Sequence, residues 1–118
     1  MAHLAIRDEE LIVELAWWEK LATRRRNVTV PLTAVENVTV EPAWWRVLRG
    51  APGRGIWIPD TLYLGVRERD GASDFLAIRP GQGQVTCVDL RPTGSPFHRV
   101  AVSGRVAQTV RTALSRSL

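Results

Sequence analysis

The chain has 118 residues, the size of a single domain spanning 1–118, and 45% of them are hydrophobic and 24% charged. These ordinary proportions exclude a disordered chain. Sixteen Lys and Arg against twelve Asp and Glu give a formal net charge of +4, which allows an anionic partner without requiring one. The single cysteine, Cys87, excludes an internal disulfide and a zinc site made of several cysteines.

The N-terminal segment carries charge before any long apolar run, with Arg7 followed by the acidic residues 8–10. A signal peptide needs an uninterrupted apolar stretch, and a membrane-spanning helix needs about 20 apolar residues. A chain of this size without disulfides also fits a reducing compartment. These features predict a cytoplasmic protein.

Most of the chain alternates between apolar and polar residues, and the alternating positions are rich in β-branched side chains. This pattern is typical of half-buried strands. The predicted strands are 3–7, 10–16, 27–32, 35–41, 61–69, 73–79, 84–90 and 98–103. Segments 69–73 and 79–84 contain glycine and polar residues and are expected to be hairpin loops. Strands spaced about 10 residues apart predict an antiparallel sandwich or barrel.

Two segments have helical character instead. Residues 17–25 predict one or two helical turns, with Trp17 and Leu21 on the same side. The last segment, 103–118, has an apolar stripe with arginines facing away, and Ser103 stands in the position of an N-cap. Because one short amphipathic helix is marginal in water by itself, helix 104–117 is expected to dock against the sheets.

The stretch 41–60 interrupts the alternation and holds three of the five tryptophans together with three arginines. Its prolines at 42, 52 and 59 favour at most one helical turn at 43–49, followed by an irregular loop. Three roles remain open: covering the domain's own core, presenting a protein-binding surface, or dipping into an anionic membrane. The residues expected to contact a partner or lipid are Trp44, Trp45, Arg46, Arg49, Arg54 and Trp57.

Full exposure of the large apolar side chains in this stretch would be costly, because burying each one is worth roughly 2 kcal/mol. Some of them must be covered, either by the domain itself or by another chain. The sequence therefore predicts partial self-coverage with an exposed remainder, Trp44 or Trp57, that is available to a partner.

No residue pattern indicates catalysis or a cofactor. The glycine-rich segment 50–55 lacks the GK[ST] ending of a phosphate-binding loop and opens no helix. A nucleophilic triad could be assembled only from Cys87, Asp89, Ser95 and His98. Cys87, however, lies inside an alternating strand, where a cysteine is usually a packed hydrophobic residue. With two histidines, the chain shows no metal-ligand spacing. We expect a non-catalytic protein with no cofactor, metal or small-molecule substrate.

The densest positive charge is the run Arg24–Arg26, with Lys20 nearby. Such a patch can bind phosphates, but binding of single-stranded nucleic acid normally also needs aromatic side chains interleaved on an exposed sheet face. The tryptophans stand at strand ends and in the long connection instead. A solvated surface is therefore favoured over a nucleic-acid partner.

Short motifs are spread along most of the chain: Trp18-Glu19-Lys20-Leu21, Val28-Thr29-Val30-Pro31-Leu32, Val35, Val38, Trp44 or Trp45, Leu48-Arg49-Gly50, Ala51-Pro52-Gly53, Gly55-Ile56, Gly65, Asp74-Phe75, Val88-Asp89-Leu90 and Pro96-Phe97. With these motifs, and one amphipathic helix after its strands, the chain resembles small, mostly actinobacterial pleckstrin-homology-like (PH-like) proteins of uncharacterised function. The resemblance implies a bent antiparallel barrel, or two orthogonal sheets, capped by helix 104–117. It also implies a non-catalytic module. The chain departs from eukaryotic PH domains in having no tryptophan in its final helix and no basic motif in its first hairpin.

The predicted function is a protein-protein contact or self-association, made through the 44–58 loop or an exposed strand edge. Peripheral binding to anionic membrane lipid through the same loop is the alternative, and an enzyme is a distant third. A protein partner or a homo-oligomer is therefore the expected assembly.

Overall fold

A computed structural model of the chain describes residues 2–91, 95–104 and 108–116. These ranges form two β-sheets and two α-helices, the second of which follows the last strand. The strands are β1 His3–Arg7, β2 Glu10–Glu14, β3 Val28–Pro31, β4 Val35–Glu41, β5 Ala51–Ile58, β6 Leu62–Arg69, β7 Ala72–Ile78, β8 Val85–Leu90 and β9 Arg99–Ser103. The helices are α1 Trp17–Thr23 and α2 Gln108–Arg116, and short 3-10 helices occupy Leu32–Ala34, Trp44–Val47 and Pro80–Gln82. The predicted mainly β architecture with one C-terminal helix is confirmed.

Strands β1, β2 and β3 form an antiparallel three-stranded sheet. The second sheet has the order β4-β8-β9-β7-β6-β5, and its neighbours are antiparallel except for β7 and β9, which are parallel. The wholly antiparallel arrangement predicted from the sequence is wrong at this pair, and so is the hairpin predicted at 79–84. The chain skips one position between β7 and β8, and β9 later fills it. Local alternation identifies a strand but not its neighbours.

Both sheets contribute to one main core. Leu11 of β2 and Leu64 of β6 have no exposed surface, and helix α2 adds Val110 and Leu114, which are 6% and 1% exposed. The predicted docking of the C-terminal helix is therefore confirmed over Gln108–Arg116.

Ser103, which was expected to cap this helix, is the last residue of β9. Its hydroxyl oxygen accepts a hydrogen bond from the backbone N–H of Arg79 at 2.8 Å. The predicted first turn of the helix at 105–107, and residue 117, lie outside the residues that the structure describes.

A buried carboxylate anchors helix α1. Ala16 precedes the helix and has no side-chain acceptor for the first N–H groups of the helix, but the Glu19 carboxylate accepts the N–H of Ala16 itself at 2.7 Å, as the third helical residue does in a capping box. The second oxygen of Glu19 accepts the N–H of Ala2 at 3.2 Å, and Glu19 has no exposed surface. The helix ends where Arg24 adopts a left-handed conformation, with φ of 53°. The helical turns predicted here are confirmed over Trp17–Thr23.

The irregular loop predicted after the helical turn is wrong, because this segment forms the edge strand β5. Gly55 pairs with Gly65, and a Cβ on Gly55 would lie 2.1 Å from the carbonyl oxygen of Leu64, so glycine permits this close approach. An edge strand also tolerates proline, and Pro52 adjoins a register shift in the pairing with β6. Glycine and proline therefore mark an irregular edge strand here rather than a loop.

Candidate interaction surface

The six-stranded sheet has a second apolar side, the outer face, which points away from the main core. Its residues are Trp57 of β5, Tyr63 of β6, Leu76 and Ile78 of β7, Val85 and Cys87 of β8, and Ala101 of β9. Residues 43–50, the covering segment, pack on this face and contain the 3-10 helix Trp44–Val47, which confirms the predicted helical turn. Val47 is only 2% exposed, and Leu48 packs against the same cluster. Part of the stretch therefore covers the domain's own apolar surface.

Four aromatic rings follow one another along the outer face. Trp44 stacks on Tyr63 with ring centroids 5.1 Å apart and planes 27° apart. Trp45 meets Trp44 edge-on, with 5.7 Å between centroids. Trp57 is the cross-strand partner of Tyr63, and the guanidinium of Arg67 lies 5.3 Å from the Trp57 ring centroid. The strand register and the covering segment together build this aromatic row.

Trp45 is the exposed tryptophan of the row at 59%, whereas Trp44 and Trp57 are half-buried. The expectation that Trp44 or Trp57 would be the exposed remainder is therefore wrong. Side chains of adjacent residues in a 3-10 helix point about 120° apart, so only one of Trp44 and Trp45 can lie on the sheet. The indole N–H of Trp57 donates to the carbonyl of Gly53 at 2.9 Å, which holds that ring against its own strand.

A row of charged side chains crosses the same face of the sheet. The strand register aligns Asp89 of β8, Arg99 of β9, Asp74 of β7 and Arg67 of β6. Arg99 donates to Asp89 at 2.8 Å. Because the signs alternate from strand to strand, no two like charges are cross-strand neighbours in this row.

Arg49 fastens the covering segment to this charged row. Its guanidinium donates two hydrogen bonds to the carboxylate of Asp74, one of them at 2.9 Å, and Asp74 is only 2% exposed. Hydrogen bonding to Asp74 raises the pKa of Arg49. Arg67 also donates to the backbone carbonyl of Arg49 at 3.1 Å. Of the arginines expected to contact a partner or lipid, Arg49 thus bonds within the chain, whereas Arg46 and Arg54 are exposed.

Sequence reasoning missed several residues of these surfaces. Asp74 could not be paired with Arg49 because 25 positions separate them and no local pattern links them. Trp17 and Leu21 are 75% and 70% exposed, more than Trp45. Their four-residue spacing placed them on one side of a helix, but it did not show which side faces water.

Cys87 is buried at 2% exposure, and burial raises the pKa of its thiol to about 11. The thiol is therefore protonated at neutral pH, which is typical of a packed cysteine and not of a nucleophilic one. Asp89, another member of the hypothetical triad, is paired with Arg99. Across the described ranges, no group of three or more His, Cys, Asp or Glu could hold a metal ion.

The raised pKa of Cys87 predicts a loss of stability at alkaline pH. The folded thiol keeps its proton up to a pKa of about 11, while the unfolded thiol ionises near its ordinary value of 9.0. The free energy of unfolding should therefore fall between these pH values, by an amount on the order of 2 kcal/mol. Urea titrations at a series of pH values measure this slope. The same slope in Cys87→Ala would show that the thiol is not its source.

No protein-family model, no curated protein and no solved structure matches the chain. None of the helices that the structure describes is long and apolar enough to cross a membrane.

Proposed function

We propose that this chain is a non-catalytic interaction module of PH-like architecture, and that it associates with a second copy of itself through the outer edge of β4 and the adjoining Trp45. The two sheets around a common core, with Leu114 of the C-terminal helix buried in it, support the PH-like part of the proposal. The parallel pair β7 and β9 is a departure from the bent antiparallel barrel of that superfold.

The two edge strands of the six-stranded sheet differ in how well they are protected against pairing with a strand of another chain. Strand β5 carries Pro52 and a register shift, both of which discourage pairing with another strand. Strand β4 has the sequence VENVTVE, without lysine, arginine or proline, and its Val40 is 44% exposed. Its register shift lies between Val35 and Asn37, so the rest of the strand is regular. Among the described residues, only β8 pairs with the backbone of β4.

The regular part of β4 is complementary to a second copy of itself. Antiparallel pairing about Thr39 sets Val38 opposite Val40 and Asn37 opposite Glu41, so no like charges meet. Trp45 stands four residues after the end of β4, and a large exposed aromatic ring of this kind is a typical binding hot spot. The proposal rests on the regular, self-complementary part of this edge and on the exposed tryptophan that follows it in the chain.

Sedimentation velocity over a range of concentrations tests the proposal and is expected to show a dimer. Val40→Lys places a charge on the edge and Trp45→Ala removes the exposed ring, so each should weaken the dimer at least about tenfold. Trp45 is 59% exposed and Val40 is 44% exposed, so neither substitution removes a fully buried side chain, and the melting temperature of the monomer should change little. Trp17→Ala is the matched control, because Trp17 is an exposed tryptophan on a different element. A chain that stays monomeric, or a dimer that tolerates both substitutions, would contradict the proposal.

Binding of anionic lipid through the 44–58 stretch has less support. Arg49 bonds to buried Asp74, and the Trp57 indole bonds to its own strand, which leaves Trp45, Arg46 and Arg54 as the exposed residues of the expected set. This alternative remains a prediction, and the vesicle experiment described below includes variants that test it.

A further inference from the structure

Helix α1 presents a surface made only of apolar and positively charged side chains. Trp17, Lys20 and Leu21 recur at the three- and four-residue spacing that places side chains on one side of a helix, and Arg24 follows at the C-terminal end of the helix. Trp17 and Leu21 are 75% and 70% exposed, and Lys20 and Arg24 are exposed as well. The acidic residue of this helix, Glu19, is buried and bonded to backbone N–H groups, so it adds no negative charge to the surface.

The positive charge continues beyond the end of the helix. Arg25 and Arg26 are exposed, and a groove of about 450 Å³ is lined by Arg24, Arg25, Arg26 and Phe97 among others. The guanidinium of Arg25 lies 4.9 Å from the centroid of the Phe97 ring, which holds that charge at the groove. We call Trp17, Lys20, Leu21 and Arg24–Arg26 together the α1 surface.

We propose that the α1 surface binds an anionic lipid bilayer. Tryptophan and leucine enter the interfacial region of a membrane, while lysine and arginine are attracted to negatively charged headgroups and their phosphates. An exposed apolar pair followed by a run of positive charges is complementary in both respects to such a bilayer. The proposal does not depend on self-association through β4, because the α1 surface shares no residue with that edge or with Trp45.

Co-sedimentation with vesicles tests the proposal directly. The full chain should sediment with vesicles of phosphatidylcholine and phosphatidylglycerol at low salt, and it should remain in solution with phosphatidylcholine alone or at high salt. The double variant Trp17→Ala with Leu21→Ala should bind at least about tenfold more weakly, because the inserted apolar area is lost. Lys20→Glu with Arg26→Glu should weaken binding about a hundredfold, because two attractive charges become repulsive.

Matched controls come from the covering segment and from β5. Ile58→Ala, and Arg46→Glu with Arg54→Glu, change an exposed apolar side chain and two exposed arginines on a different surface and should leave vesicle binding unchanged. Circular dichroism melts on all variants check that the exposed substitutions keep the fold. Three results would overturn the proposal: no sedimentation of the unaltered chain at low salt, equal sedimentation with neutral vesicles, or binding that is lost in the control variants and retained in the α1 variants.

Discussion

Replacing Arg49 with alanine is expected to lower the free energy of unfolding by about 3 kcal/mol. The substitution leaves the carboxylate of Asp74, which is 2% exposed, without its guanidinium partner. A buried charge without a partner is costly, and the covering segment loses its side-chain anchor at the same time. Urea unfolding followed by circular dichroism measures the loss.

Arg46→Ala is the matched control, because Arg46 lies three residues earlier in the covering segment and is exposed. Its effect should stay within about 0.5 kcal/mol. Replacing both members of the pair, Arg49→Met with Asp74→Leu, should recover much of the stability, since no buried carboxylate is left without its guanidinium partner. If Arg49→Ala lowers the free energy of unfolding no more than Arg46→Ala does, the Arg49–Asp74 pair does not hold the covering segment on the sheet.

Glu19→Ala is expected to lower the free energy of unfolding by about 3 kcal/mol as well. The Glu19 carboxylate accepts the N–H groups of Ala16 at 2.7 Å and Ala2 at 3.2 Å, and both acceptors disappear together. Buried donors without partners cost free energy, and the deleted side chain leaves a gap between α1 and the first residues of the chain. Thermal and urea unfolding measure the loss.

Lys20→Ala serves as the control for Glu19→Ala, because Lys20 is the next residue of the same helix and is exposed. It should change the stability by no more than about 0.5 kcal/mol. Glu19→Gln retains one side-chain acceptor, so its free energy of unfolding should lie between those of Glu19→Ala and Lys20→Ala. Equal stability of all three variants would mean that the buried carboxylate does not anchor α1.

Much of the secondary structure could be predicted from local patterns. The first predicted strand, 3–7, coincides with β1, and the alternating segment 35–41 coincides with β4. Apolar spacing also located α1 and α2, since an amphipathic helix has a period that a strand cannot imitate. These predictions are correct because each depends on residues that are close together in the chain.

The rest could not be predicted because it depends on contacts between distant residues. The insertion of β9 between β7 and β8 is a choice among neighbours that alternation does not encode. The strand β5 was missed because glycine and proline usually indicate loops, whereas here Gly55 and Gly65 allow two backbones to approach closely. Which tryptophan of the adjacent pair would be exposed depended on the position of Tyr63, a ring on another strand.

In a dimer, the two proposed surfaces act together. A dimer formed through β4 carries two α1 surfaces, and two linked membrane contacts bind more tightly than one when their geometry allows both to engage. Val40→Lys should then weaken vesicle binding at low protein coverage without altering the α1 surface itself. Unchanged vesicle binding by this variant would mean that the two surfaces act independently.

Oxidation of individual tryptophans, read by mass spectrometry, tests most directly whether the covering segment lies on the outer face and leaves Trp45 available to a second copy. In dilute solution, Trp17 and Trp45 should be oxidised first, and the half-buried Trp44 and Trp57 more slowly. At concentrations where the dimer forms, Trp45 should become protected while Trp17 stays reactive. Oxidation of Trp44 or Trp57 as fast as Trp45, or a Trp45 that remains reactive in the dimer, would contradict this account.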